Sequence, residues 1–438
     1  MVAPALREDY VELHLHTNYS LLDGASHPKE LIGRAREFGY RALACTDHDN
    51  LFGALEFARL CREVGIKPIT GAELTVSPDG GTTRHHLTLL CRTREGYGNL
   101  CRLLSLVNGL ALPTQEERER RRLDPWLPLS EVARHAGGLL CLTGCRQAEI
   151  PQLIAAGRER EAEAALRRLI SWFGWHSVFV EIQDNLVFGD RRRNHALREL
   201  AGRVGVPLVA TGDVHYHEKD RHRLQDVLVA IRHRQSLDES HRELRPNAEF
   251  HLRRPEEQAR RFREFPEAVA QTRRIADLCE FDLNEDLGYR LPDPPVPEGR
   301  TPLSWLDECC RTELRRRYSR GEQEAAEARL DEELQLIGHH GLAGFFLVYK
   351  EVLDLAREVA AEVREGGSTS RGLLPPGRGR GSSVGSIVCY LIGLSHIDPV
   401  RNKLFLGRFL NEEMSSLPDI DLDFPRATRE RLIERVHE

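Results

Sequence analysis

Two groups of side chains in this sequence have the types and spacing to do chemistry. The first is the stretch 418–424, PDIDLDF, in which Asp419, Asp421 and Asp423 alternate with Ile420, Leu422 and Phe424. In a strand successive side chains point to opposite faces, so the acids share one face and the apolar residues the other. Carboxylates crowded together repel unless cations sit between them, and oxygen ligands in this arrangement suit Mg²⁺ with substrate phosphates. A calcium loop also begins D-x-D-x-D, and Glu430 stands where its last ligand would be. Phe424 occupies that loop's turn-glycine position, however, and apolar alternation signals a strand. A solvated acidic edge is the plainer alternative.

The second group is spread along the N-terminal part. Short apolar runs recur at Val11–Leu15, Arg41–Cys45, Pro68–Thr70, Leu87–Cys91, Leu139–Leu142, Val178–Ile182 and Leu208–Ala210. The first carries His14 and His16 and leads to Asp23; the second is followed by Asp47, His48 and Asp49, and the third by Glu73. His85 and His86 enter the fourth, Cys145 follows the fifth, and Asp213 and His215 follow the seventh. Imidazole, carboxylate and thiolate are ligands for borderline metals. A lone HxH is ordinarily structural, but recurrence at six of seven runs is not a chance pattern.

Upstream of the acidic stretch, residues 377–386 read GRGRGSSVGS and lead into the apolar run IVCYLIGL. Glycines let a backbone approach a phosphate closely, and N–H groups opening a helix bind anions. Arg378, Arg380, Ser382 and Ser383 add charge and donors. No Lys follows the last glycine, so this is not a P-loop. A phosphate cradle followed by paired carboxylates reads as two-metal nucleotidyl transfer.

The elements that must position these groups follow from the same pattern. Helix-like stretches such as Pro28–Phe38 and Leu51–Val64 separate most apolar runs, which implies parallel βα units and, with seven strands, a barrel. In such a barrel the strand ends and loops converge on one face, where sites are built. Leu112–Asp124 is a charge-rich insert expected as a solvated helix or loop, and 217–234 is expected to hold an amphipathic helix. LPDPPVPEGRTP (291–302) is a proline-rich break. Beyond it, Ser304–Tyr318 and Gln323–Ile337 read as charged helices, His339 and His340 as a helix-ending turn, and GHHGLAGFFLVYKEVLDLAREV (338–359) as a turn into a buried helix. Residues 366–376, GGSTSRGLLPP, form a long approach to the Gly-Ser loop.

A length of 438 residues allows two or three domains, and 40% hydrophobic with 30% charged residues fits a soluble globular protein. The N-terminus lacks a signal-peptide pattern and no apolar run is long enough to span a membrane, so a cytoplasmic protein without membrane association is expected. Ten scattered cysteines without a CxxC pair are expected to be reduced. A net charge of −6 excludes a wholly basic nucleic-acid coat but permits a basic groove.

GRGRGSSVGSIVCYLIGLSHIDP, LFLGRFLN and PDIDLDF closely resemble the palm of bacterial C-family DNA polymerases, the replicative alpha subunit and its error-prone relatives. The resemblance implies that Asp421 and Asp423 are catalytic and hold Mg²⁺. It also implies that Gly381 and Ser382 bind the incoming nucleotide's phosphates, with Arg378 and Arg380 as helpers. HLHTNYSLLDG, TDHDNL, GAEL, HHLTLL, LTGC and TGDVH resemble, in order, the motifs of the PHP (polymerase and histidinol phosphatase) domain. That resemblance implies a metal site of His14, His16, Asp23, His48, Glu73, His86, Cys145, Asp213 and His215, holding Zn²⁺ or Mn²⁺.

The expected architecture is therefore α/β. A PHP-type distorted seven-stranded β/α barrel (1–285) is joined by a proline-rich linker (286–302) to an incomplete α+β nucleotidyltransferase-like palm (303–438). The implied activity is template-directed DNA synthesis in replication or translesion repair, with 3′–5′ exonuclease or phosphoesterase activity at the PHP site. Primer-template DNA, deoxynucleoside triphosphates, a C-terminal polymerase segment, and a sliding clamp with other replication or repair proteins are the implied partners. The family's third catalytic aspartate lies downstream of Glu438, so this chain is not expected to polymerise alone. A free-standing PHP phosphoesterase and a non-catalytic half of a split polymerase are the alternatives.

Overall fold

The computed structural model describes residues 10–437 apart from 110, 111, 113, 288–293, 295, 364–376, 408 and 412–416. The expected approach segment 366–376 lies outside the described residues. The chain divides into two compact units, Met1–Gly288 and Tyr289–Glu438.

The first unit is a curled mixed sheet wrapped by helices. Its strands are β1 (Ala42–Cys45), β2 (Lys67–Ser77), β3 (His85–Cys91), β4 (Leu127–Pro128), β5 (Leu139–Leu142), β6 (Val178–Gln183) and β7 (Leu208–Thr211). They pair in the order β1-β2-β3-β5-β6-β7, with β4 attached to β2. Pairing is parallel except at β3, which runs antiparallel to both β2 and β5. The sequence reading of uniformly parallel units fails there because a short glycine turn, with Gly80 and Gly81 at φ +77° and +99°, joins β2 to β3. A reversal this tight can only produce an antiparallel pair.

The first apolar run also departs from expectation, since it does not form a regular strand. Glu12 bridges Leu43 and Leu15 bridges Val214, both in parallel sense. His16 N–H donates to Val214 O at 2.8 Å and Ala44 N–H to Glu12 O at 2.9 Å. The run thus lies between β1 and the residues after β7, joining the two ends of the curl through isolated bridges.

Along the strands, side chains alternate between two cores. Leu43, Leu89, Cys141, Val180 and Ala210 pack in the larger cluster with the helices. Val11, Leu13, Ala44, Ile69, Leu90, Leu140, Phe179 and Val209 meet in a second cluster. Only the concave face of a curled sheet lets side chains from strands all round it touch. Helix Pro266–Leu278 packs against β7 and adds Ile275 and Ala276 to this cluster.

The charged insert forms helix Gln115–Leu123, opened by a capping box between Thr114 and Glu117. Segment 217–234 contains helix His222–His233, which buries Gln225, Val229 and Ala230. Its apolar residues Leu224, Val227 and Ile231 are 40%, 40% and 55% exposed, so much of the sequence's apolar spacing faces outward.

The second unit packs helices Pro302–Arg317, Gln323–His339, Ala343–Val363 and Arg426–His437 with the short helix Ile387–Leu391. His339 and His340 end their helix at Gly341, φ +65°. A two-stranded ribbon joins β8 (Arg378–Arg380) to β9 (Asp421–Asp423) in antiparallel register. Among the described residues no helix is long and apolar enough to cross a membrane. All ten cysteines are unpaired.

Candidate metal centre

The loops and strand ends of the first unit bring nine side chains into one contact network. Glu73, on β2, is its hub: Oε1 lies 3.2 Å from His14 Nε2, and Oε2 lies 3.8 Å from His16 Nε2. The same Oε2 lies 3.0 Å from His48 Nδ1 and 2.8 Å from His86 Nδ1. Cys145 Sγ is 3.3 Å from His86 Nδ1. Asp213 Oδ1 is 3.7 Å from both His14 Nε2 and His16 Nε2 and 3.6 Å from His215 Nδ1. Asp23 Oδ2 closes the network at 3.2 Å from His48 Nε2 and 3.6 Å from His215 Nε2. All nine residues that the PHP resemblance implied meet here.

Three other residues at the same run ends do different work. Asp47 accepts from Thr17 N–H (2.7 Å) and from the hydroxyls of Thr17 (2.8 Å) and Ser20 (2.6 Å), which braces the loop after His16. Asp49 accepts from Thr75 N–H and Oγ1, both at 2.7 Å. His85 and His86 are neighbours on β3 and so point to opposite faces; only His86 reaches Glu73. Gly24 ends the braced loop, and a Cβ there would lie 1.8 Å from Thr17 O, so no side chain fits. Asp213 is held at φ +51°, a left-handed conformation uncommon for a residue with a Cβ and often found at functional sites.

Two buried acids that the sequence reading passed over orient the cluster. Glu181, on β6, lies 2.6 Å from His14 Nδ1 and accepts from Gly144 N–H at 3.0 Å. The Thr211 hydroxyl donates to the same carboxylate. Glu12 accepts from the Tyr10 hydroxyl (2.7 Å) and from Gly212 N–H (2.9 Å), fixing the backbone just before Asp213. The available signal for Glu181 was one acid inside the apolar strand VFVEIQ, the one run to which no ligand was assigned.

The cluster's electrostatics call for cations. Burial pushes the Cys145 thiol well above its ordinary range, and the Glu73 and Asp213 carboxylates push it further. Burial would lower His14, but Glu181 and Glu73 hold it well above the usual histidine value. His16 goes the other way, driven well down by burial and by its neighbours His48 and His215. His14 Nε2, His16 Nε2 and Glu73 Oε2 are buried without a hydrogen-bond partner. Buried polar atoms left without partners are costly unless they bind something. Ligand atoms of His16, His48 and His215, of His14, His16 and Glu73, and of His48, Glu73 and His86 each lie within 4.8 Å of one another. Mixed N and O donors with this spacing, with the Cys145 sulfur beside His86, fit divalent transition metals.

In the second unit Asp419, Asp421 and Asp423 are exposed while Ile420 is buried and Leu422 and Phe424 are partly so, giving the expected alternation. Arg380 pairs across the ribbon with Asp421 and its Nε lies 2.8 Å from Asp423 Oδ2. Arg378 faces Asp423 in register. Gly381, at φ +71°, turns the chain from β8 into a 3₁₀ turn that includes exposed Ser382. Among the described residues the three-ligand groups all lie in the first unit, and none contains Asp421 or Asp423.

The sequence matches the family described as PHP domain over residues 12–185 and that described as Bacterial DNA polymerase III alpha NTPase domain over 304–438. It is 38% identical over 440 residues to an error-prone DNA polymerase of Symbiobacterium thermophilum, covering 98% of this chain and 38% of that protein. It is 36% identical to a DNA polymerase III subunit alpha of Treponema pallidum, covering 98% of this chain and 36% of that protein. The chain thus spans little more than a third of the length of these relatives. A solved putative metal-dependent phosphoesterase from Bifidobacterium adolescentis aligns with 47% of the chain and 87% of its own, at 17% identity and a TM-score of 0.33. By sequence, the chain is a PHP domain followed by bacterial DNA polymerase III alpha sequence, similar over nearly its whole length to error-prone DNA polymerases and DNA polymerase III alpha subunits.

Proposed function

We propose that this chain is the PHP and palm portion of a DNA-directed DNA polymerase of replication or translesion repair, with a second, hydrolytic centre in its first unit. The division is taken as 1–285 for the PHP domain, 286–302 for the linker and 303–438 for palm sequence. The observation that carries the hydrolytic centre is the buried network of nine ligand-type side chains around Glu73, with lone pairs turned inward.

His14, His16, Asp23, His48, Glu73, His86, Cys145, Asp213 and His215 would hold Zn²⁺ or Mn²⁺. Bound ions of this kind activate water and polarise a phosphoryl oxygen. The chain's own residues prepare that site. Glu181 holds a proton at His14 Nδ1 and so turns Nε2 inward, while burial of the cluster strengthens each charge interaction. The substrate class is a phosphodiester at a DNA 3′ end.

In the palm, Asp421 and Asp423 would hold Mg²⁺ and Gly381 and Ser382 the nucleotide phosphates, with Arg378 and Arg380 beside them. The exposed acids on one ribbon face and the glycine turn directly after β8 support this reading. Arg380 neutralises Asp423 in this arrangement and would exchange it for a phosphate. Primer-template DNA, deoxynucleoside triphosphates, further polymerase sequence and a sliding clamp are the partners, in the cytoplasm.

Hydrolysis of a 3′-labelled single strand in Mn²⁺ by the chain, and its loss in His14→Ala with Asp213→Ala, tests the first unit. Activity surviving both substitutions would point to a contaminating nuclease. Template-directed incorporation by the polymerase containing this segment, abolished by Asp421→Ala and by Asp423→Ala, tests the second.

A further inference from the structure

Two guanidinium groups reach the proposed centre: Arg232, on an exposed side chain, lies 3.9 Å from Asp23 Oδ2, and Arg245 is seated against the centre itself. Arg245 extends from the segment after helix His222–His233, and its side chain is 16% exposed. Its Nη2 donates to Asp23 Oδ1 at 3.2 Å and to His215 Nε2, and its Nη1 lies 3.9 Å from Asp213 Oδ2. The guanidinium carbon stacks 4.8 Å over the Phe250 ring. Arg245 Nε is buried without a hydrogen-bond partner.

The contact with His215 matters chemically. His215 Nδ1 lies 2.9 Å from the carbonyl oxygen of Asp213 and donates to it, so the ring's lone pair sits on Nε2. That lone pair accepts from Arg245, and a metal ion would need the same lone pair. Asp23 is shared in the same way, since it faces both Arg245 and His48. Guanidinium cannot be deprotonated, so it cannot give way by losing charge; it must move. Among the described residues, the hydrogen bonds and ion pairs of Arg245 at the centre go to Asp23, His215 and Asp213, not to Glu73, His14, His16 or His86.

We propose that Arg245 and a divalent cation compete for the Asp23–His215 corner of the centre, so that Arg245 sets the affinity of the last metal ion. The inference rests on reading the cluster as a metal centre. The ions held around Glu73, His14, His16 and His86 bind without opposition, whereas the ion at Asp23 and His215 must displace the guanidinium. Once displaced, Arg245 is released into a pocket that Arg146, Arg193 and Arg242 also line, where a phosphate oxygen is its natural partner.

Mn²⁺ titration calorimetry on the full chain tests the competition. The parent chain should show a tight class of sites and one weaker ion. Arg245→Met should tighten that weaker ion at least tenfold and leave the tight class unchanged, while Arg245→Lys should fall between. Metal binding with the weak ion unchanged or weaker in Arg245→Met would overturn the competition alone; a parent chain that binds no Mn²⁺ would overturn the metal centre as well. A second measurement uses the parent protein, with no risk of misfolding. Phenylglyoxal modification at Arg245, followed by mass spectrometry, should accelerate when Mn²⁺ is saturating. Slower or equal modification would count against displacement.

Discussion

His14 Nδ1 lies 2.6 Å from Glu181 Oε1, with both side chains fully buried. This contact fixes which ring nitrogen carries the proton and directs Nε2 to Glu73 and Asp213. A carboxylate behind a ligating histidine sets its tautomer and raises its basicity. Glu181→Gln should therefore weaken metal binding by about 10–100-fold while the chain still folds. Metal titration with thermal melting of the metal-free chain separates the two effects. Equal affinity in parent and variant would remove Glu181 from the centre.

Elemental analysis of chain purified without chelator should show more than one transition metal per molecule. The network contains more ligand-type side chains than a single four-coordinate ion can use. A protein that stays metal-free after incubation with Zn²⁺ or Mn²⁺ would sink the assignment.

Metal affinity should rise with pH. Burial and the carboxylates of Glu73 and Asp213 keep the Cys145 thiol protonated. Burial opposes charge on His48, but the Asp23 and Glu73 carboxylates beside it hold its value up to about 10. Both groups must lose a proton to bind metal, so each ion displaces protons. Affinity should fall as the buffer is moved from about pH 8 to about pH 6, with proton release visible as a buffer-dependent binding heat. A pH-independent affinity would contradict this.

Glu333 gives the second unit a pH dependence of its own. Its carboxyl is buried under the Gly-Ser turn, where the Ser386 hydroxyl and Ile387 N–H (2.8 Å) donate to it. Burial outweighs these donors and raises its value from 4.5 to about 7. The folded form therefore holds a proton that the unfolded chain has lost. The stabilisation is full below about pH 4.5 and is lost as pH rises through about 7, a change on the order of 3 kcal/mol. Glu333→Gln removes this term, so its denaturant midpoint should gain on the parent's between about pH 4.5 and 8. A constant difference across that range would refute it.

Gly24→Ala should destabilise the first unit by roughly 1–3 kcal/mol, because the new methyl meets the Thr17 carbonyl and the braced loop must shift. The loop carries Asp23, so metal affinity should drop together with the melting temperature. Substitution at Gly33, where nothing lies within 4 Å, is the control.

The sequence by itself determined which residues could be ligands and, through the two-residue period of a strand, which faces they share. His86 and Glu73 emerge on one face of β2 and β3, and Asp421 with Asp423 on one face of β9, because alternation is a local property of an extended chain. The helices of the second unit were legible for the same local reasons. Glu333 was legible in principle, since it shares a helical face with Ala326, Leu330 and Ile337. Tertiary structure alone decided the rest. Whether Asp47 and Asp49 ligate or brace depends on Thr17, Ser20 and Thr75, which the curl of the sheet brings to them. Glu181 meets His14 across a separation of 167 residues, and Arg245 meets Asp23 across 222. Periodicity places a side chain on a face, but only chain closure sets its distance from a partner on another strand.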